Sequence, residues 1–213
     1  MKIRHWMTPD PVTVTPDTPL KDAQRLMAAK KIRRLPVVDK KGRLKGMITR
    51  RHILGAMPSE ATTLSVHEIY ALLDKLTVGD VMTKELKTVG PEDLVQDVML
   101  RGHEQGIGAY PVLEDGKLIG IATESEIFNA LVNLVGPREG TCLIELANVE
   151  LDKEVGATSR IAEVIEKRGV PVEAIFTAPH RASTGNHVYI RARTSNKSNL
   201  QADLDAAGFK VVI

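Results

Sequence analysis

Residues 35–53, LPVVDKKGRLKGMITRRHI, return as residues 110–127, YPVLEDGKLIGIATESEI. Pro36 matches Pro111 at an offset of 75, whereas Gly46, Thr49 and Ile53 match Gly120, Thr123 and Ile127 at an offset of 74. The slip falls where Asp39-Lys40-Lys41-Gly42 shortens to Glu114-Asp115-Gly116. A turn absorbs such a deletion without disturbing its flanks, so the apolar runs on either side are the arms of a hairpin. Thr49 is placed to cap a helix through Ile53 and Leu54, and Thr123 one through Ile127, Phe128 and Leu131.

Further out, Met7-Thr8 recurs as Met82-Thr83 and Pro16 as Pro91, again 75 residues on. Val12-Thr13-Val14 is a short extended run. Asp17 and Thr18 are N-cap candidates for a helix with Leu20, Ala23, Leu26 and Met27 on one stripe, copied as Leu94, Val95, Val98 and Met99. Each copy therefore reads strand, helix, strand, strand, helix, and the two copies fold against each other. Such a duplication places two equivalent clefts about a pseudo-twofold axis, which suits ligand sensing better than one asymmetric catalytic centre. Between the copies, 58–63 reads as a polar linker, and Val66, Ile69, Tyr70, Leu73 and Leu76 as an amphipathic interface helix.

The chain has 213 residues, 43% hydrophobic and 26% charged, with a formal net charge of +2. That composition supports a sizeable core and two domains. No apolar run reaches the length of a signal segment or a membrane span, so a cytoplasmic location is expected. The single cysteine, Cys142, allows neither an intrachain disulfide nor a cysteine-built metal site, and its apolar neighbours read as core. Histidines stand singly at 5, 52, 67, 103, 180 and 187, without paired ligand spacing, so no metal is expected. Neither a catalytic triad, nor a carboxylate dyad, nor a Walker-type glycine loop is present, and the chain is not expected to be an enzyme.

Met-Thr, a Thr/Val strand, Pro-Val-Val-Asp and Gly-x-x-Thr-x-x-acid together resemble the repeating unit of cystathionine-β-synthase (CBS) domains over residues 1–135. The resemblance implies a disc-shaped pair that binds AMP, ADP, ATP or an adenosyl compound as a regulatory ligand. Its implied contacts are Thr13, Arg33, Arg34, Pro36, Gly46, Thr49, Arg50 and His52 in the first copy, and Thr88, Tyr110, Pro111, Gly120, Thr123 and Glu126 in the second. Glycine at 46 and 120 would let a ligand approach the strand, and the helix opened by each threonine would attract a phosphate. The same threonines also read simply as N-caps. The family's closing aspartate, implied to accept from ribose hydroxyls, is here His52 in one copy and Glu126 in the other.

Charge separates the copies. Residues 30–52 carry ten basic side chains against one acid, Asp39, whereas residues 105–126 carry one base, Lys117, against four acids. Arg33 and Arg34 precede Leu35-Pro36, where the resemblance implies phosphate ligands; Gly108 and Ala109 stand there in the second copy. The first-copy cleft is thus expected to be phosphate-rich and the second to take, if anything, a less charged adenosyl ligand. Two other readings stand: the lysines form a solvated face, or the basic face of 30–51 meets nucleic acid.

After the Gly136-Pro137-Arg138-Glu139-Gly140 linker the rhythm changes. Strands at 143–149, 172–178, 188–194 and 209–213 and helices around Ile161 and Leu200 give βαββαβ, the ferredoxin-like order. With the turn at 152–156 this resembles an ACT domain, which implies an amino acid or other small effector. His187, Tyr189, Arg191 and Arg193 alternate with Val188, Ile190 and Ala192, so one face of that strand is basic and is expected to be solvated or dimer-facing. The expected α/β (α+β) architecture is a CBS pair, 1–62 and 63–138, followed by an ACT-like domain, 139–213. Across the whole chain this resembles the acetoin-utilization regulatory family, which implies a link to acetoin metabolism; the half-covered ferredoxin-like sheet and the CBS pair lead us to expect a homodimer, with the CBS pair signalling to a partner enzyme or to the ACT-like domain.

Overall fold

The computed structural model describes residues 1–56, 75–147, 149, 155–179 and 186–212. The linker expected at 58–63, the interface-helix positions 66–73, positions 152–154 of the turn and the loop at 180–185 lie outside the described residues. The chain divides into two compact units, Met1–Leu134 and Val135–Ile213.

In the first unit the duplication reaches the backbone. A 3₁₀ turn (Ile3–His5) and β1 (Thr8–Pro9) lead to α1 (Leu20–Lys30), β2 (Arg34–Val38), β3 (Leu44–Thr49) and α2 (Arg50–Gly55). Then come α3 (Val78–Val81), α4 (Val95–Gln105), β4 (Ala109–Glu114), β5 (Lys117–Thr123) and α5 (Glu124–Val135). β2–β3 and β4–β5 are antiparallel hairpins whose register breaks at the same place, after Val37 and after Val112. The shorter second turn puts Asp115 and Gly116 at φ of 50° and 76°, the two left-handed positions of a type I′ turn.

The longer first turn is closed by Asp39. Its carboxylate accepts from the backbone N–H of Lys41 at 2.9 Å and of Arg43 at 3.0 Å, and from Arg43 Nε at 2.7 Å. These bonds, that of the Arg43 backbone first, hold the Asp39 carboxyl well below the usual carboxylate range. The folded value lies below the unfolded one, so this stabilisation is present above roughly pH 4 and is lost as pH falls through the lower folded value. Asp39→Asn is therefore expected to melt earlier than wild type at pH 7 and to lose less stability on acidification. Calorimetric melts at pH 7, 4 and 3 check this, and parallel acid slopes in the two proteins would exclude it.

The two copies exchange their leading segments. Ile3 N–H donates to the Asp93 carbonyl and Arg4 N–H to that of Pro91, both at 2.9 Å. Seventy-five residues on, Val78 N–H donates to Thr18 at 2.9 Å and Gly79 N–H to Pro16 at 2.8 Å. Ile3 thus joins the second copy's core of Val89, Val95, Val98 and Val112, and Val78 joins the first copy's core of Val14, Leu20, Leu35 and Val37. Each such buried aliphatic contributes about 1.5–3 kcal/mol, so neither copy has a complete core by itself. The exchange also overrides the expected caps. Leu20 N–H, first in α1, donates to the Leu76 carbonyl at 2.9 Å, and Val95 N–H to Met1 at 2.8 Å, so backbone from the other copy serves donors that Asp17 or Thr18 was expected to satisfy. Thr18 Oγ1 instead accepts from Thr15 N–H at 3.1 Å.

The second unit runs β6 (Cys142–Ala147), α6 (Ala157–Glu166), β7 (Val172–Pro179), β8 (Asn186–Ala192), α7 (Lys197–Ala206) and β9 (Lys210–Val211). The sheet order is β7-β8-β6-β9 with antiparallel pairs throughout, the ferredoxin-like arrangement. Ile144, Leu146, Val188, Ile190 and Ala192 pack against Ile161 and Ile165 of α6 and Leu200 and Leu204 of α7. Burial pushes the Cys142 thiol up, away from the thiolate.

The opposite face of β8 departs from expectation. His187 and Arg191 are 5% and 2% exposed, not solvated. The missing ingredient is Glu145 on β6, directly opposite Tyr189 in the register. His187 Nδ1 lies 2.5 Å from Glu145 Oε1, Tyr189 Oη donates to the same oxygen at 3.2 Å, and the Tyr189 ring stacks on Phe176 with centroids 5.4 Å apart. A buried basic group needs such a partner, and strand periodicity in β8 is blind to one on another strand. Among the described residues no helix is long and apolar enough to cross a membrane, and no group of three or more His, Cys, Asp or Glu side chains is placed to hold a metal ion.

Candidate functional site

The hairpins and the exchanged segments enclose two clefts in the first unit. One, of about 350 Å³, is lined by Thr8, Asp10, Arg33, Arg34, Thr123 and Glu126 among others. The other, of about 330 Å³, is lined by Arg34, Thr49, His52, Thr83, Lys87 and Gly108 among others. Each cleft takes its walls from both copies. β1 pairs with β5, Thr8 opposite Ile121, and Thr83 bridges to Met47 of β3, so the leading strand of one copy lies on the hairpin of the other.

This corrects the expected grouping. Arg33 stands with Thr123 and Glu126 of the second copy, not with Thr49 and His52 of its own. Thr49 and His52 stand with Gly108 and Ala109. Arg34 is the one residue common to both linings. The phosphate-type cations and the ribose-type carboxylate, expected in different clefts, therefore share the first.

In that first cleft the Glu126 carboxylate folds back onto Thr123 ahead of the twelve-residue α5. Thr123 N–H donates to Glu126 Oε2 at 3.0 Å, the Thr123 hydroxyl donates to the same oxygen, and Ser125 N–H reaches Thr123 Oγ1 at 3.3 Å. Thr8 Oγ1 donates to Glu126 Oε1 at 2.9 Å, which ties the leading strand to the helix start. A carboxylate offers about four acceptor directions, so Oε1 retains capacity for one more donor. Cap and ligand acceptor are thus compatible roles.

The second cleft differs in kind. Thr49 accepts from His52 N–H at 3.2 Å, and His52 Nε2 lies 3.4 Å from Thr83 Oγ1. His52 Nδ1 is buried without a hydrogen-bond partner among the described residues. Thr49 is the N-cap of the six-residue α2.

Between the clefts, the half-buried Arg34 donates through Nη1 to the Gly108 carbonyl, which also accepts from Glu124 N–H at 3.3 Å. Burial lowers the Arg34 pKa; Glu124 opposes the drop, Arg33 adds to it and Glu126 opposes it. The guanidinium remains charged at any physiological pH.

Seven of the expected contacts line neither cleft. Tyr110, 2% exposed, and Pro111 are buried, and burial pushes the Tyr110 phenol up. Thr13, Arg50 and Thr88 are also absent from both linings. Gly46 and Gly120 have a different purpose from the expected one. A Cβ at Gly46 would stand 2.6 Å from the Thr83 carbonyl oxygen and 2.7 Å from Met82 Sδ; one at Gly120 would stand 3.1 Å from the Thr8 carbonyl oxygen and would overlap Met7 Sδ. Each glycine makes room for the Met-Thr pair of the other copy. Thr8 and Thr83 are among the lining residues absent from the expected contacts, although the recurrence of Met-Thr was the signal for them.

Residues 3–59 and 78–133 match the family model of the CBS domain, together more than half of the chain. A CBS domain-containing protein of Dictyostelium discoideum is 29% identical over 136 residues, covering 63% of this chain and 94% of that protein. The structure of a candidate acetoin utilization protein (AcuB) from Vibrio cholerae superposes with a TM-score of 0.54 at 28% identity, covering 63% of this chain and 93% of the other. CBSX2, an Arabidopsis thaliana CBS-pair protein solved in complex with AMP, gives a TM-score of 0.52 at 29% identity over 62% of this chain and 97% of its own. The inosine-5'-monophosphate dehydrogenases it matches are far longer, the chain spanning 22%, 34% and 20% of three of them.

Proposed function

This chain belongs to the CBS-domain family, carrying the domain twice, and from that premise we propose that it is a non-catalytic regulatory sensor binding an adenine nucleotide in the cleft shared by Arg33, Arg34, Thr123 and Glu126. The observation that carries this reading is the meeting, in one cavity, of two guanidinium groups, a helix N-terminus and a carboxylate with acceptor capacity to spare. The cations and the helix start suit a phosphate, and the carboxylate suits a ribose hydroxyl. The AMP complex of CBSX2 supports the ligand class. The domain division at 62/63 and 138/139, a homodimeric cytoplasmic protein, an ACT-like effector role for the second unit and a partner in acetoin metabolism belong to the same proposal, the last supported by the likeness to AcuB.

Calorimetric titration with AMP, ADP, ATP and S-adenosylmethionine tests it. Micromolar binding of at least one is expected, and Glu126→Ala should weaken AMP by about tenfold, the worth of one charge-assisted hydrogen bond. A melt of the variant controls for the lost cap, which costs about 1 kcal/mol. Failure to bind any adenine compound would refute the sensor. A steep linear fall of log affinity with log salt for oligonucleotides would favour the nucleic-acid reading instead.

A further inference from the structure

The two clefts are not independent, because one cation serves both. Arg34 contributes to both linings, whereas the residue at its pseudo-symmetric position, Ala109, has nothing to offer in return. In the present arrangement the Arg34 guanidinium is anchored on the second-cleft side, on the Gly108 carbonyl that also receives the first N–H of α5. A Cβ at Gly108 would lie 3.4 Å from Arg34 Nη1 and 3.2 Å from Glu124 Oε2, so the cation, the acid and this backbone form one tight knot between the clefts.

We infer that Arg34 couples the two clefts negatively, so that a phosphate-bearing ligand in either draws on the same guanidinium and weakens phosphate binding in the other. This rests on the nucleotide reading above. A phosphate beside Lys31 and Arg33 in the first cleft recruits the fork of Arg34, the guanidinium nearest the second cleft, as a further cation. Among the described residues the second cleft then keeps Lys87 as a fixed cation, opposed by Glu85. By reciprocity, an anion in the second cleft holds Arg34 back from the first by the same factor. A ligand without phosphate makes no demand on Arg34 and carries no coupling. Half-burial sharpens the effect, since water is a poor substitute for the shared cation there.

The test is a double-mutant cycle on the full chain with AMP and adenosine as probes. Val12→Trp obstructs the first cleft, since Val12 lines it and not the second. In the presence of Arg34, Val12→Trp is expected to tighten AMP in the second cleft by about fivefold or more relative to wild type with the first cleft filled, the lower end of ordinary coupling energies. In an Arg34→Met background the same obstruction should leave the second-cleft affinity unchanged, and adenosine should show no coupling in either background. Hydrogen exchange at residues 106–109 locates the event: filling the first cleft with AMP should speed exchange there in wild type only. AMP binding with a second-cleft affinity indifferent to the first, or coupling that survives Arg34→Met, overturns the inference and leaves the nucleotide reading intact. A second cleft that takes no AMP overturns the inference alone, and failure of AMP, ADP, ATP and S-adenosylmethionine all to bind wild type overturns both.

Discussion

Arg33→Ala combined with Arg34→Ala weakens AMP binding by about a hundredfold or more while changing adenosine less than about threefold, because two charge-assisted contacts of about 1.5–3 kcal/mol each are lost to the phosphate alone. Arg33 is exposed and Arg34 half-buried. Among the described residues the side-chain contacts at stake are the Arg34 bond to Gly108 and its attraction to Glu124 and Glu126, so the double variant should remain folded. Calorimetry with both ligands, after a melt to verify folding, decides the matter. Equal losses for AMP and adenosine would mean that the arginines shape the cleft without touching a phosphate.

Gly46→Ala has the largest expected effect on stability. The added methyl group meets a backbone carbonyl 2.6 Å away, and that carbonyl accepts from Met47 N–H at 2.9 Å, so neither side can yield without breaking the bridge between the copies. Overpacking of this kind costs about 3 kcal/mol, on the order of a 10 °C fall in Tm for a unit of this size. Gly120→Ala should cost less, because its severest clash is with the flexible end of Met7, and Met7→Ala in the same chain should recover most of the loss. Thermal melts of the three variants test both statements. A Gly46→Ala protein as stable as wild type would mean that the glycine is not needed for docking Met82-Thr83.

The contrast between these two glycines shows where reading the chain reached its limit. Their spacing from Thr49 and Thr123 was visible, and so was the recurrence of Met-Thr. Nothing local says that the Met-Thr of one copy fills the space left by the glycine of the other, because the two segments are 36 to 113 positions apart and meet only on folding. Glu145 is a parallel case. Its partner His187 sits 42 residues away on another strand, so the alternation in β8 could be read while its counter-charge could not.

What the sequence determined by itself is everything governed by neighbours along the chain. The one-residue slip placed two hairpin turns, period-2 and period-3.6 patterns set the hairpins and the helices around them, and Thr49 and Thr123 opened their helices as the pattern demanded, but the extended run expected at 12–14 forms no strand and only a single bridge from Val14 to Val37. Tertiary structure alone decided which basic run faces which helix start. Both pairings use identical local signals, within a copy or across copies, and the choice falls to the cores: Ile3 and Val78 are buried only by crossing to the other copy, and the cleft walls cross with them.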